Sequence, residues 1–63
     1  MPNQYRAGDI YISNSGVVSL LILETEVSVL GGKVMGVKAM VLEDGNQYRL
    51  SYRMLDKRYH LHK

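Results

Sequence analysis

The chain has 63 residues, a formal net charge of +2 and no cysteine. A chain of this length is expected to form one domain, residues 1–63, that buries only about 60% of its unfolded surface, which leaves room for a core but hardly for a deep pocket as well. Its longest apolar run, Leu20–Leu23, is far shorter than the ~20 residues of a membrane-spanning helix. These features argue against an enzyme and against a membrane protein. The lack of cysteine fits a reducing cytoplasm.

The first half of the chain is predicted to form a lead-in and two strands. Met1–Arg6 is mostly polar and contains the single proline, which is typical of a loose N-terminal segment. Asp9–Ser13 alternates between apolar and polar residues, and the turn signal Asn14-Ser15-Gly16 separates it from Val17–Val29. This long segment is apolar on both faces as far as Leu23, and its β-branched residues favour an interior strand over a helix.

Two glycine-containing turns predict two further strands. Gly31-Gly32 closes a hairpin into Lys33–Leu42, a segment that is also apolar on nearly both faces. Asp44-Gly45 closes the next hairpin into Gln47–Leu50, because glycine adopts positive φ without a Cβ clash.

The C-terminal residues predict a helical turn and a last strand. Ser51–Leu55 departs from the strand period, with Ser51 as a candidate helix cap, and Arg58–His62 alternates again. Five strands in this order favour an all-β chain that folds as one small antiparallel barrel, because closing a sheet removes unpaired edges. The side chains expected to fill its core are Ile10, Ile12, Leu21, Leu23, Val37 and Val41.

Three segments resemble an SH3-like (Tudor-like) small barrel: Tyr5–Ile12, Asn14–Val18 and Glu43–Leu50. Within that class the chain is similar to the RNA-polymerase-interacting domain of the CarD and transcription-repair coupling factor family. Those domains open with a Gly-Asp-hydrophobic strand and a glycine turn, as Gly8–Gly16 does, and end in a short strand like Gly45–Leu50. The chain also resembles short phage-encoded proteins that bind host enzymes, which implies a location in the cytoplasm of a bacterium or of an infected host cell. The resemblance implies a five-stranded SH3-like barrel with one short helical turn near the C-terminus, which binds a protein through an exposed strand edge.

Three patterns in the sequence partly match known chemical sites. Gly31-Gly32-Lys33 lacks the spacing of a phosphate-binding P-loop, so it predicts only a turn. His60 and His62 share a strand face, but two ligands fall short of the three or four in a zinc site. Glu24 and Glu26 share a strand face, but no His, Ser or Lys is locally placed to complete an acid–base site with them. We therefore predict no catalytic residue, no metal site and no cofactor.

The charge is concentrated at one end of the chain. Residues 49–63 carry five of the eight Lys and Arg residues and one of the six acidic residues, with tyrosines interleaved. One interpretation is a non-enzymatic protein-binding module, a small bacterial or phage regulator of a host protein such as RNA polymerase or another nucleic-acid-processing enzyme. Tyr and Arg are enriched at binding hot spots. The predicted partner-binding surface comprises Tyr11, Tyr48, Arg49, Tyr52 and Arg53, with Lys63 at its rim.

Three alternatives to this surface stay open. The same segment suits a small nucleic-acid-binding barrel, in which cations contact phosphates and tyrosines stack on bases. The residues predicted for that function are Arg49, Arg53, Lys57, Arg58 and Tyr59. Another interpretation is that the tyrosines are half-buried in the barrel wall while the cations only solvate it. Finally, the apolar residues on both faces of Val17–Leu23 and Val34–Leu42 exceed what a small barrel encloses, which predicts a homodimer.

Overall fold

Five antiparallel strands and one short helix make up residues 5–62, the part of the chain that this computed structural model describes. In chain order the elements are β1 (Ile10–Ser13), β2 (Ser19–Val29), β3 (Val34–Val41), β4 (Gln47–Ser51), α1 (Tyr52–Arg58) and β5 (Tyr59–Leu61). The predicted all-β class, with one helical turn near the C-terminus, is confirmed. Within residues 5–62 no helix is long and apolar enough to cross a membrane. Part of the predicted lead-in, residues 1–4, and Lys63 lie outside the described residues.

The strands form one sheet in the order β4-β3-β2-β1-β5. β2 is its long central strand: it pairs with β1 near its start and with β3 along most of its length. The register between β2 and β3 shifts twice, between Ile22 and Glu24 and between Thr25 and Val27. Such bulges bend a strand and increase its twist, so β2 can take part in a strongly curved sheet. Because β4 and β5 each have one neighbour, they are the edges of this sheet, and α1 links them.

The core lies on one face of the sheet, and the predicted set of core residues was largely wrong. Val37 is fully buried as predicted, and Val41 is half-buried against the core. Ile10, Ile12, Leu21 and Leu23 are instead only half-buried and are not part of the core cluster. The residues that do fill the core are Tyr11, Leu20, Ile22, Val37, Ala39 and Leu55.

The error has a simple physical cause. Tyr11 pairs with Leu20, and Leu20 pairs with Val41, so these three side chains share the inner face. Successive side chains of a strand point to opposite faces, so choosing the wrong parity moves every side chain of that strand to the other side. Since β2 begins apolar on both faces, its sequence pattern did not determine which side faces inward.

The junction between β4 and α1 is held by a close backbone approach and a cap. Gly36 pairs with Ser51, and a Cβ atom built on Gly36 would lie 1.9 Å from the Leu50 carbonyl oxygen. Only glycine fits there, because any larger residue would meet main-chain atoms. Ser51 is the N-cap of α1, as predicted, and its Oγ accepts a hydrogen bond of 3.1 Å from the Met54 N–H. The helix then buries Leu55 completely in the core.

Candidate partner-binding surface

Three tyrosines form an aromatic cluster that includes two residues of the predicted partner-binding surface, Tyr11 and Tyr52. Tyr5 packs against Tyr11, with ring centroids 5.2 Å apart, and stacks on Tyr52 at 5.1 Å. Tyr11 is only 6% exposed, so its expected place on a binding surface is corrected to the core. Burial raises the pKa of Tyr11, and the nearby charges of Asp9 and Asp56 raise it further.

Tyr5 makes contacts that its sequence context does not predict. It lies in the predicted loose lead-in, yet it is half-buried, and its hydroxyl donates a hydrogen bond to the Asp56 carboxylate on α1. The only signal in the sequence was an aromatic residue within a polar segment. Tyr5 thus attaches the start of the described chain to the helix near its end.

Tyr52 is half-buried, and its hydroxyl is occupied. It donates to Glu26 Oε1 and accepts from the Glu26 N–H, both at 2.8 Å. Burial raises the pKa of Tyr52, and the hydrogen bond to the Glu26 carboxylate raises it further. With one ring face against Tyr5, this side chain forms part of the protein's own wall, as the alternative interpretation of the tyrosines holds.

The other three residues of the predicted partner-binding surface are exposed. Tyr48 and Arg49 lie on the edge strand β4, where 48% of the Tyr48 side chain is accessible to solvent. Arg53 is exposed on the first turn of α1. We call these three residues, together with the free edge of β4, the β4 surface. It joins a strand edge, an accessible aromatic ring and two cations.

Four of the five residues predicted for nucleic-acid binding line two open concavities. Lys57, Arg58 and Tyr59 line one of about 390 Å³. Arg49 lines the other, of about 550 Å³, beside the turn that joins β2 to β3. Arg53 lines neither of them. The structure therefore brings three of the five predicted residues together.

The face of the sheet opposite the core carries an apolar row. Ile10 pairs with Leu21, and Leu21 pairs with Met40, so the three side chains are neighbours across three strands. Each is half-buried, and none belongs to the core cluster. This row belongs to the excess of apolar residues from which the sequence predicts self-association.

Ionisable residues considered in the sequence serve other purposes in the structure. His60 Nδ1 lies 3.0 Å from Asn14 Oδ1, so its ring holds the β1–β2 turn. Glu26 binds Tyr52, as described above. Among residues 5–62, no group of three or more His, Asp or Glu side chains is arranged to hold a metal ion.

Comparison of the chain with protein-family models, with curated proteins and with solved structures finds no match. Its function is therefore inferred from its own fold and surface.

Proposed function

We propose that this chain is a non-enzymatic protein-binding module that adds an extended segment of its partner to the free edge of β4. The observation that carries this proposal is the position of β4, which pairs with β3 on one side only. An edge strand presents a row of N–H and C=O groups that can pair with another chain. In this mode main-chain hydrogen bonds supply affinity and alternate side chains supply specificity.

β4 suits this role better than β5, the other edge. β4 has five residues and β5 has three, so a partner strand can form more hydrogen bonds along β4. Three of the five residues of β4 are exposed, including Tyr48 and Arg49. Tyrosine and arginine combine large contact areas with directed hydrogen bonding, and they recur at binding hot spots.

The charges on the β4 surface indicate what kind of segment binds there. Arg49 and Arg53 are both exposed, whereas Lys38, opposite Arg49 on β3, also lies opposite Glu24 on β2. The two exposed cations favour a partner segment with acidic side chains, since complementary charge speeds association and excludes like-charged segments. The resemblance of Gly8–Gly16 and Gly45–Leu50 to polymerase-interacting domains supports a host protein such as RNA polymerase as the partner of a small bacterial or phage regulator.

Capture from a bacterial lysate, with and without nuclease, tests this proposal. The wild-type chain should retain one protein after nuclease treatment, and Tyr48→Ala with Arg49→Glu should lose most of it. The matched control, Val17→Ala with Arg6→Glu, removes an exposed apolar side chain and reverses an exposed cation away from β4. Equal capture by both double variants, or bound material that vanishes with nuclease, would show that the β4 surface is not a protein-binding site.

We also propose that two copies associate through the outer apolar row of Ile10, Leu21 and Met40. The support is that these side chains are cross-strand neighbours outside the core. Monomers rarely leave large contiguous apolar patches uncovered. This surface lies on a sheet face and not on the edge of β4, so a homodimer formed there would leave that edge unpaired.

A further inference from the structure

A second surface lies between the β1–β2 turn and the junction of α1 with β5. We call it the turn concavity. It has a volume of about 390 Å³, which is within the range of small-molecule sites. Its lining residues are Ser13, Asn14, Ser15, Val18, Lys57, Arg58 and Tyr59.

The main chain around the turn concavity is fixed by Asn14. The Asn14 N–H donates to the Arg58 carbonyl at 2.8 Å, and Asn14 Nδ2 donates to the Lys57 carbonyl at 3.3 Å. Asn14 Oδ1 faces His60 Nδ1 at 3.0 Å. Two of these contacts tie the turn to the last residues of α1, and the third ties it to β5. A site held in this way is formed before a ligand arrives, which lowers the entropic cost of binding.

Two serines supply a directed donor. Ser13 is 8% exposed, and its Oγ accepts hydrogen bonds from the Val17 and Val18 N–H groups at 3.2 and 3.1 Å. With both acceptor positions used, Ser13 has only its hydrogen left, and the Ser15 Oγ lies 3.0 Å away to receive it. A hydroxyl has one donor and two acceptor positions. The Ser15 hydrogen is therefore free to bond a ligand acceptor.

The charge of the lining favours an anion. Lys57 and Arg58 are exposed cations, and no Asp or Glu lines the turn concavity. The carbonyls at the end of a helix would normally oppose a negative charge. Here the Lys57 and Arg58 carbonyls already accept hydrogen bonds from Asn14, which reduces that opposition.

We propose that the turn concavity binds a nucleotide, with the phosphate group held by Lys57, Arg58 and Ser15 and the base placed beside Tyr59. Arginine and lysine form short, strong hydrogen bonds with phosphate oxygens. Tyr59 is half-buried in the same lining, and an aromatic side chain stacks on any base. Nucleotide binding in the turn concavity is separate from partner binding at β4, and it uses different residues.

NMR amide shifts of the full chain test the proposal with three probes: inorganic phosphate, a nucleoside monophosphate and a single-stranded hexanucleotide. Each should shift the amides of residues 13–18 and 57–60, and the monophosphate should bind about tenfold more tightly than phosphate through stacking. Tighter binding of the hexanucleotide than of the monophosphate would identify nucleic acid as the source of the nucleotide. Equal or weaker binding would identify the free nucleotide.

Matched variants separate a site from general attraction to positive charge. Lys57→Gln with Arg58→Gln should weaken monophosphate binding at least about tenfold. Arg6→Gln with Lys33→Gln makes the same change in net charge at two exposed cations outside the turn concavity and should alter binding less than about twofold. Ser15→Ala should weaken binding, whereas Ser28→Ala should not. The same spectra report whether each variant is folded. Equal loss in both charge variants, shifts centred on other residues, or no shift at millimolar monophosphate would overturn the proposal.

Discussion

The Tyr52 hydroxyl is hydrogen-bonded twice to Glu26, once to its carboxylate and once to its main-chain N–H. Glu26 lies at the second register shift of β2 and has a φ of 57°, a left-handed conformation that is uncommon for residues other than glycine. The first residue of α1 therefore stabilises the bulge that redirects β2. Because Tyr52 also stacks on Tyr5, the contact joins three distant segments of the chain.

Removing this hydroxyl should destabilise the fold. We expect Tyr52→Phe to lower the free energy of unfolding by about 1 kcal/mol, because two hydrogen bonds to Glu26 are lost while the ring stays in place. Tyr48→Phe is the matched control. The Tyr48 hydroxyl makes no hydrogen bond within residues 5–62, so this substitution should change the free energy of unfolding by nearly zero. Urea unfolding followed by circular dichroism measures both. Equal values for the two variants would show that the Tyr52–Glu26 contact contributes nothing.

The close approach at Gly36 predicts a larger effect. Gly36→Ala places a Cβ atom 1.9 Å from the Leu50 carbonyl oxygen, so β3 and β4 must separate. We expect a loss of more than about 3 kcal/mol or failure to fold, since main-chain atoms cannot move aside as side chains do. Lys38→Ala, two residues further along β3, should lower the free energy of unfolding far less. A Gly36→Ala protein as stable as the Lys38→Ala protein would mean that the Leu50 carbonyl does not approach Gly36 this closely.

Glu43 predicts a dependence of stability on acidic pH. The Ser19 N–H donates to Glu43 Oε1 at 2.9 Å, and this bond lowers the pKa of Glu43 below its ordinary value of 4.5. A carboxylate with a lowered pKa in the folded state stabilises the protein above its unfolded pKa, and the contribution is lost as pH falls through the folded pKa. Stability should therefore decline as pH drops below about 4.5.

Urea unfolding from neutral pH to about pH 3 measures this decline. The Glu43→Gln protein, which cannot titrate at this position, should lose less stability with acid than the wild type. Glu24→Gln is the control, because it removes an exposed carboxylate on β2. The Glu24→Gln protein should lose as much stability in acid as the wild type. If the free energies of unfolding of the Glu43→Gln and wild-type proteins fall in parallel from neutral pH to about pH 3, the proposed role of Glu43 is wrong.

The outer apolar row predicts a homodimer. Light scattering at high micromolar concentration should give twice the mass of one chain, and Leu21→Glu should give the mass of one chain without unfolding it. Leu21 is half-buried outside the core, so the charged side chain meets solvent in the monomer. A wild-type mass of one chain at this concentration would contradict a stable dimer.

The order of the elements could be predicted from the sequence because the turns have distinctive residues. Gly16, Gly31, Gly32 and Gly45 all adopt positive φ, and each lies at a predicted turn. The polar residues between strands placed the strand boundaries within two residues, and Ser51 placed the start of α1, whereas the helix ends at Arg58, three residues beyond the predicted Leu55. Each of these turns and the helix cap is determined by a few neighbouring residues, so it can be predicted without knowing the rest of the fold.

The inward face and the sites could not be predicted in the same way. The parity of β2 depends on which of two apolar faces meets Tyr11, a contact made only when the sheet assembles. The bulge at Glu26 interrupts a regular alternation, because Tyr52 supplies the hydrogen bonds that stabilise it. The turn concavity joins Ser15 to Lys57 and Arg58, more than forty residues along the chain. Such features arise from tertiary contacts, which a pattern along the chain does not contain.

Hydrogen exchange of the β4 amides in the complex with the captured partner tests the central claim most directly. If a partner segment adds to the free edge of β4, the amides within residues 47–51 that point away from β3 gain new carbonyl acceptors. Their exchange should slow at least about tenfold in the complex, while the amides of the turn joining β2 to β3 should stay unchanged. Unchanged exchange throughout residues 47–51, with protection appearing at another surface, would contradict the assignment of β4 as the binding edge.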